Sequence, residues 1–494
     1  MPKRLAAPLA LVTYVLLLFG ATHALQAGLF ERDGYYHARL SRLVPERGFS
    51  REFPWTQVST WKHGYCDKEV LYHAAMMPFA LVGDEPIGGA RVFATLLSAA
   101  VLLGLFFLLR AHGVPWPALF AALPLASGGL FIARLGMIRS HVLSMLLLLA
   151  GVHLVLQRRW RATGVLGFVY AWSYTLPFVL ALTAAPIAVG RALSRAGLDW
   201  RTVLAAFGGA CLGLALHPYS PLTLETFLTI AQIVRMGLAG KQASGFELGN
   251  EIYPYPPAVF FNIYPLVVLL VPALVLVVAW QWKRVSADAR GVVLATLAWS
   301  AMTALSARYV EYQVLLLALA CGLVARDLSQ VETWKARWAA SGRLRVGVTA
   351  AALLVLVGFH VRAMTFYWYY QAKAAPARFF DGAGKWMAEH LAPGETVINL
   401  YWDDFPDLFY SAPRQHYLWG LDPTFTVRAD EGRATLLERV RTRQLPLDGA
   451  LLAKVFSSRT LVFRATRASR YPELTRAPFR EVYRDASAVL YRIE

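Results

Sequence analysis

The polar segment 30–40 (FERDGYYHARL) holds the densest group of side chains that can exchange protons or bind anions. Asp33, Tyr36, His37 and Arg39 lie within seven residues, directly after a long apolar run. A carboxylate beside a membrane interface is costly to desolvate unless it has a task. The alternative is a solvated loop that its tyrosines anchor at the interface. The spacing alone leaves both interpretations open.

Other polar groups flank the apolar runs. Arg134 and Arg139 enclose a four-residue turn, Glu251 lies in GNEIYPYP at 249–256, and Arg308 opens the stretch RYVEY. Glu251 could serve a substrate or could belong to an interfacial belt of tyrosine and proline. Arg308 and Glu311 are three residues apart and could simply pair with each other.

The elements that must position these residues follow from composition. Of 494 residues, 57% are apolar and only 16% are charged, whereas about 25% charged is usual in soluble domains. Apolar runs too long for core strands recur through the first three-quarters of the chain. These features predict a polytopic α-helical membrane protein and exclude a disulfide scaffold, a coiled coil and a disordered chain.

About eleven membrane segments are predicted. Residues 1–25 begin with two basic residues and lack a small-x-small cleavage site, so we expect an uncleaved first helix. The stretch 163–190 is interrupted at Trp172–Pro177 and predicts two short helices with an outward break. The remaining predicted segments are 88–110, 115–133, 140–156, 203–217, 257–281, 291–306, 309–325 and 346–366.

The orientation follows from the basic residues in short loops. With the N-terminus inside, the inner loops hold seventeen of the 49 lysines and arginines and only four acids. These loops carry +13 of the net charge of +18, so the charge needs no nucleic-acid partner. Segments 26–87 and 218–256 and the tail 367–494 then face outward.

The chain is predicted to contain a transmembrane domain (1–366) and an extracytoplasmic α/β domain (367–494). The tail is punctuated by proline, glycine and charge, and is long enough to bury its own core. Residues 383–391 have the pattern of an amphipathic helix, and 396–400, 460–463 and 488–493 that of strands.

Several motifs resemble those of one superfamily. The stretch DGYYHAR at 33–39 is similar to the loop after the first helix of oligosaccharyltransferase catalytic subunits. GYCDKEVLYH at 64–73, followed by Gly83 and ARV at 90–92, is similar to the pattern G-x-x-x-K-P-P-L…G…A-R-L of aminoarabinose and protein mannosyl transferases. The chain therefore resembles the GT-C superfamily of integral-membrane glycosyltransferases, which use polyprenyl-linked sugars.

This resemblance implies an inverting glycosyltransferase that moves a sugar from a polyprenyl-phosphate donor to an acceptor outside the cytoplasmic membrane. Asp33 is the expected catalytic base, which typically contributes about 10²–10⁴-fold. The donor phosphate is assigned to Lys68, Arg308, His37 and Arg39, with Arg134 and Arg139 as further cations. Four further residues are assigned either to direct contact with the acceptor or to positioning the residues that contact it: Glu251, Tyr36, Trp402 and Asp403.

Two motifs depart from the oligosaccharyltransferase pattern. YWDDFP at 401–406 shares only Trp402 and Asp403 with the Trp-Trp-Asp-Tyr-Gly motif that is implied to read the acceptor. An acidic pair that would bind a divalent cation, Mg²⁺ or Mn²⁺, is replaced by Arg134 and Arg139. Asp33 is then the metal ligand that remains, and no cofactor follows from the residues themselves. Arginine charge in place of a metal is our hypothesis.

Alternative functions remain at this stage. A ligase or polymerase of lipid-linked glycans, a transporter or lipid flippase, and a non-catalytic GT-C-like subunit all fit a polytopic chain. Transporters tend to show two similar halves and charges near the middle of the membrane. This sequence shows no internal repeat, and its polar residues are predicted to crowd the outer interface.

The expected partners are a polyprenyl-phosphate-linked sugar, membrane lipid, and a protein, lipid or glycan acceptor. The sequence lacks a glycine-rich phosphate loop, so no nucleotide is implied. The expected location is a bacterial cytoplasmic membrane, crossed several times, with the N-terminus inside and the C-terminal domain periplasmic or extracellular.

Overall fold

The computed structural model describes residues 3–240, 245–374 and 378–494. Parts of the predicted outer loop 218–256 and of the tail 367–494 therefore lie outside the described residues. The chain forms two compact units, each assembled from three segments. The first unit contains 1–25, 91–217 and 251–374, and the second contains 26–90, 218–250 and 375–494.

The described part of the first unit consists of helices and their connections. Every predicted membrane segment coincides with a helix or a bent helix pair, and the break predicted inside 163–190 lies at 174–178. The helices are Lys3–Leu25, Pro86–Ala111 (its first turn is in the second unit), Pro117–Ser127, Gly129–Leu135, Ser140–Leu156, Trp160–Ser173, Val179–Leu193, Trp200–Ala215, Pro257–Ile263, Pro265–Trp280, Ala287–Leu305, Val310–Ser329, Glu332–Ala340 and Gly342–Ala374.

Two predicted straight segments are bent. Pro117–Ser127 and Gly129–Leu135 meet at 103°, and Pro257–Ile263 and Pro265–Trp280 meet at 95°. The two bends pack against each other, because a Cβ atom at Gly128 would come within 2.5 Å of the carbonyl oxygen of Ile263 and 2.7 Å of the Tyr264 ring. A side chain at Gly128 would therefore force the bends apart.

Among the described residues, five helices are long and apolar enough to cross a membrane, or seven if each bent pair is one span. This confirms a mostly helical chain with several candidate spans, whereas the count of about eleven stays a prediction. One of the five, Leu222–Ala239, lies in the segment predicted to be an outer loop.

The second unit combines short helices with a small sheet. Its helices are Asp33–Arg47, Trp61–Gly64, Val70–Ala80, Leu222–Ala239, Asp381–His390, Phe405–Ser411, Thr424–Ala429, Glu431–Arg441, Gly449–Phe456 and Ala465–Ala468. An aromatic core packs Phe53 against Tyr36, Trp61, Tyr65 and Phe409, with ring centroids 4.8–6.2 Å apart. Such rings bury large areas, so this core fixes the helix Asp33–Arg47.

The sheet has five strands in the order β2-β1-β3-β5-β4. The predicted helix at 383–391 and strands β1, β3 and β5 are confirmed. The sequence missed β2, which has two residues, and β4 (FREVYR), whose mostly exposed polar residues are typical of an edge. Strands β1 and β2 and strands β1 and β3 are parallel, whereas β5 is antiparallel to β3 and β4. The strands are β1 Thr396–Asn399, β2 His416–Tyr417, β3 Thr460–Arg464, β4 Phe479–Arg484 and β5 Ala488–Ile493.

Candidate functional site

An arginine–glutamate cluster lies in the first unit and consists of Arg134, Arg139, Arg308, Glu251 and Glu311. Arg134 ends the short helix after the first bend, and Arg139 directly precedes the helix Ser140–Leu156. Glu251 and Arg308 lie in single 3₁₀ turns, and Glu311 is in the first turn of Val310–Ser329. Breaks between helices therefore supply most of these charges.

Glu251 is the centre of this cluster. Its Oε2 lies 2.8 Å from Arg134 Nη1, and its Oε1 lies 3.2 Å from Arg139 Nη2 and 3.6 Å from Arg308 Nη2. Burial alone would raise the pKa of Glu251, but the guanidinium groups of Arg139, Arg134 and Arg308 hold it well below its usual range. Glu251 therefore stays charged and orients the three arginines.

Glu311 anchors the other side of Arg134. Its carboxylate is fully buried and lies 2.7 Å from Arg134 Nη2. His141 Nε2 donates a hydrogen bond to the Arg134 carbonyl oxygen at 2.9 Å. Three guanidinium groups and two carboxylates leave the cluster with one net positive charge, which favours an anionic ligand.

A histidine–carboxylate cluster lies in the second unit and consists of His37, Asp67, Glu69 and His73. His37 Nδ1 and His73 Nε2 are 2.8 Å apart, and His73 Nδ1 lies 2.8 Å from Asp67 Oδ2. Glu69 Oε2 is 3.8 Å from His37 Nδ1. All four side chains are buried. Buried groups that carry charge need such partners.

Asp33 is the first residue of the helix Asp33–Arg47, and its backbone N–H donates to Glu31 Oε1 at 2.6 Å. The positive end of the helix dipole favours a carboxylate at this position. Asp33 and His37 are four residues apart and share a helix face. The structure thus places the predicted base one turn before the histidine–carboxylate cluster.

Three other residues from the first two motifs have contacts inside the second unit. Lys68 Nζ lies 4.0 Å from Glu69 Oε1, so it borders the histidine–carboxylate cluster. Arg39 donates to the Tyr410 carbonyl oxygen at 2.9 Å. The Tyr36 hydroxyl lies 2.8 Å from that of Tyr65 in the aromatic core. Burial raises the pKa of Tyr36 well above its usual range, so its hydroxyl stays protonated.

The motif at 401–406 contacts the short helix Ala465–Ala468, which follows strand β3 of the sheet. Arg467 holds Asp403 with two contacts, of 2.9 Å to Oδ1 and 2.5 Å to Oδ2. Arg467 also contacts the buried Asp404 at 2.8 Å. Trp402 packs on the apolar core beside the sheet. These contacts fix the position of the Asp403 carboxylate, and its predicted contact with the acceptor stays a prediction.

The fold is similar to several solved structures. The apo oligosaccharyltransferase of Archaeoglobus fulgidus superposes with a TM-score of 0.61 at 14% identity, covering 94% of this chain and 70% of that one. Apo ArnT from Cupriavidus metallidurans gives 0.53 at 14% identity, covering 98% and 96%. The arabinofuranosyltransferase AftD from Mycobacteria gives 0.53 at 15% identity, covering 100% of this chain and 40% of that one. This chain has the GT-C fold.

The predicted resemblance is thereby confirmed at the level of the fold. Comparison with models of protein families found no match, and comparison with curated protein sequences found none either.

The divalent cation implied by GT-C oligosaccharyltransferases does not fit the arginine–glutamate cluster. Arg134 and Arg139 are always protonated and have no lone pair for a metal. The oxygens of Glu251 and Glu311 already face guanidinium groups at 2.7–3.6 Å. Elsewhere in the described chain, one group of histidine and carboxylate ligands has metal-like spacing, namely His37, Glu69 and His73. Asp33 is not a member of that group.

Sequence reasoning on the GT-C motifs missed three residues of the histidine–carboxylate cluster. It also considered Glu311 only as a partner of Arg308, whereas the structure pairs Glu311 with Arg134. Asp67, Glu69 and His73 belong to the stretch 64–73, but only Lys68 was singled out there. A signal was present, because Glu69 and His73 are four residues apart at a helix start. The pairing of Glu311 with Arg134 could not be predicted from neighbouring residues, because 177 residues separate the two in sequence.

Proposed function

We propose that this protein is an inverting glycosyltransferase that transfers a sugar from a polyprenyl-phosphate carrier to an acceptor on the outer face of a bacterial cytoplasmic membrane. The observation that carries the proposal is the convergence of Arg134, Arg139 and Arg308 on Glu251 in a GT-C fold. Three preorganised guanidinium groups with a net positive charge suit a phosphate on a membrane-bound lipid.

The arginine–glutamate cluster is assigned to the donor. ArnT from Cupriavidus metallidurans, which has a similar fold, has a structure bound to undecaprenyl phosphate. In the present chain Arg139 contacts both oxygens of Glu251, from Nη1 to Oε2 and from Nη2 to Oε1, each at 3.2 Å, and Arg308 Nη2 lies 3.6 Å from Oε1. A guanidinium group carries five N–H donors and a permanent positive charge, which suits a phosphate. Arginine binds phosphate with two parallel hydrogen bonds, so these side chains orient the leaving group as well as neutralise it.

Asp33 is assigned to the acceptor. Its carboxylate takes the proton of the acceptor O–H or N–H bond, while the acceptor lone pair forms the new bond to the anomeric carbon. The bond between that carbon and the phosphate oxygen breaks, and its electron pair leaves on the polyprenyl phosphate. Because the acceptor attacks opposite the leaving group, the anomeric configuration inverts.

The experiment replaces Asp33 in the host. A strain lacking the gene is complemented with wild type, Asp33→Asn or Asp84→Asn, and its surface glycans are analysed by mass spectrometry. Asp84 is an exposed aspartate of the same unit and serves as the matched control. We expect wild type and Asp84→Asn to restore a missing sugar. Asp33→Asn should lose it, because transfer falls by about 10²–10⁴-fold.

Donor binding is measured separately. Purified protein in nanodiscs is titrated with undecaprenyl phosphate, and Arg308→Met is compared with Arg201→Met, which removes an exposed arginine of the first unit. We expect at least tenfold weaker binding for Arg308→Met and no change for Arg201→Met. Equal binding by both variants would contradict the assignment of Arg308 to the donor. In the first experiment, sugar transfer by a folded Asp33→Asn protein would contradict the assignment of Asp33 as the base.

A further inference from the structure

The histidine–carboxylate cluster buries two carboxylates beside two histidines, and hydrogen bonding alone does not explain why both carboxylates are buried there. Two imidazoles, two carboxylates and the flanking Lys68 come together from the helix Asp33–Arg47, the helix Val70–Ala80 and the three residues before the latter. The carboxylates of Asp67 and Glu69 are both buried and face the same pair of histidines. Buried negative charge of this density is stabilised by a cation.

We propose that His37, Glu69 and His73 bind a Zn²⁺ ion, with water as the fourth ligand. Two histidines and one glutamate are a ligand set that zinc accepts in tetrahedral sites with one open position. One ligand atom from each of the three side chains lies within 4.8 Å of the other two.

The spacing of the ligand atoms fits zinc. Bonds of 2.0–2.2 Å in a tetrahedron place ligand atoms about 3.3 Å apart. His37 Nδ1 lies 2.8 Å from His73 Nε2 and 3.8 Å from Glu69 Oε2, on either side of that value. To admit the ion, these two distances change by about 0.5 Å each. The ligand atoms of His73 and Glu69, which lie within 4.8 Å of each other, also have to move closer together.

Asp67 prepares His73 for this role. A carboxylate only accepts hydrogen bonds, so His73 donates to Asp67 from Nδ1 and keeps the lone pair of neutral Nε2 for a ligand. Zinc-binding histidines commonly donate their other ring N–H to a carboxylate in this way. In the metal-free arrangement, the Nδ1 proton of His37 fills the position of the ion. Binding moves that proton to Nε2 and leaves both rings neutral.

The ion would join the helices Asp33–Arg47 and Val70–Ala80, at His37 and at Glu69 and His73. Asp33 is one turn before His37 on the first of these helices, about 6 Å along its axis. A zinc ion there would hold the orientation of this helix start. Binding itself does not depend on the proposed transferase activity.

The test measures metal binding by the full-length protein in detergent. Protein stripped with a chelator is titrated with Zn²⁺ by calorimetry, and the bound metal is counted after gel filtration. We expect one equivalent per chain for wild type. His63→Ala, which removes an exposed histidine of the same segment, should bind as wild type does. His73→Ala and Glu69→Gln should lose stoichiometric binding, and Asp67→Asn should weaken it by about 10–100-fold.

Cobalt provides the second measurement, because Co²⁺ in a tetrahedral site gives visible absorption that folded but metal-free protein lacks. Glu69→Gln keeps the size of the side chain, so it still tests the site if the His73→Ala protein fails to fold. Absence of stoichiometric metal in wild type, or unchanged Co²⁺ spectra in a folded Glu69→Gln protein, would overturn the site. The cluster would then be a hydrogen-bonded Asp67–His73–His37 chain. Because no transfer is measured, failure here leaves the glycosyltransferase proposal to its own test.

Discussion

The two charged clusters differ in which charge is in excess: cationic side chains outnumber carboxylates in the first, and carboxylates surround the histidines in the second. In the first unit, three guanidinium groups surround Glu251, so the carboxylate is a counterion among cations. In the second unit, Asp67 and Glu69 surround two imidazoles, so carboxylates dominate. We propose that the first cluster binds an anion and that the second binds a cation.

The comparison shows how one chain can separate two binding chemistries. Arginine cannot lose its proton, so the first cluster keeps its positive charge at any physiological pH. Histidine has an ordinary pKa of about 6.5, so above that pH it is mostly neutral and offers a lone pair to a metal. Under the two proposals, Glu251 is a counterion in the first cluster, whereas Glu69 is a metal ligand in the second.

The largest effect is expected for Arg134→Met. This change leaves Glu311 buried without its 2.7 Å partner, and an uncompensated buried charge costs about 3–5 kcal/mol. We expect a large drop in the detergent melting temperature. The double variant Arg134→Met/Glu311→Gln should recover part of it, because it removes the orphaned charge. An Arg134→Met protein as stable as wild type would show that Glu311 does not need this partner.

Matched Glu→Gln changes in the two clusters should have opposite signs. Glu251→Gln removes negative charge from among three arginines, so undecaprenyl phosphate should bind about tenfold more tightly. Glu69→Gln removes a metal ligand, so Zn²⁺ should bind at least tenfold more weakly. Both affinities are measured on nanodisc protein. If both changes weaken their ligands, Glu251 organises the arginines more than it repels the phosphate, and the contrast between the clusters is lost.

Several features could be predicted from the sequence because their signals are local. Apolar runs fixed the helix positions of the first unit, and alternation found β1, β3 and β5. The bends at Gly128 and Tyr264 had local signals that the prediction did not use, namely the Gly128–Gly129 pair and Pro265. That the two bends pack against each other could not be read from local sequence. The same holds for Arg134, whose partners Glu251 and Glu311 are 117 and 177 residues away. Both clusters became visible only when the fold brought distant short motifs together.

A smaller effect is expected from salt. Arg139 and Arg308 keep 16% and 20% of their side chains exposed, so solution ions can compete at the arginine–glutamate cluster. Undecaprenyl phosphate binding should weaken several-fold between 50 and 500 mM NaCl (about 14 to 4 Å Debye length). Zinc binding by the buried histidine–carboxylate cluster should change less than twofold. Titration of both ligands across this range checks the difference.

Acid pH should affect the stability of the two units differently, and this is the smallest effect. The pKa of Glu251 is held below its usual range, so its contribution to stability is present above pH 4.5 and is lost only as the pH falls further. Asp407 in the second unit has one oxygen on Arg32 at 3.0 Å, whereas Oδ2 has no partner among the described residues.

Burial therefore raises the pKa of Asp407 to about 6, and the folded state binds this proton more tightly than the unfolded state. Lowering the pH from 7 to 5 should stabilise the second unit, and the gain should shrink in Asp407→Asn. Part of it should remain, because burial also raises the pKa of Asp404 to about 6. Over the same range the first unit should be unchanged. Hydrogen exchange, corrected for intrinsic rates, reads the units separately through β3 and the helix Val310–Ser329. Equal slopes in both segments, or an unchanged slope in Asp407→Asn, would contradict the assignment of this pH dependence to Asp407.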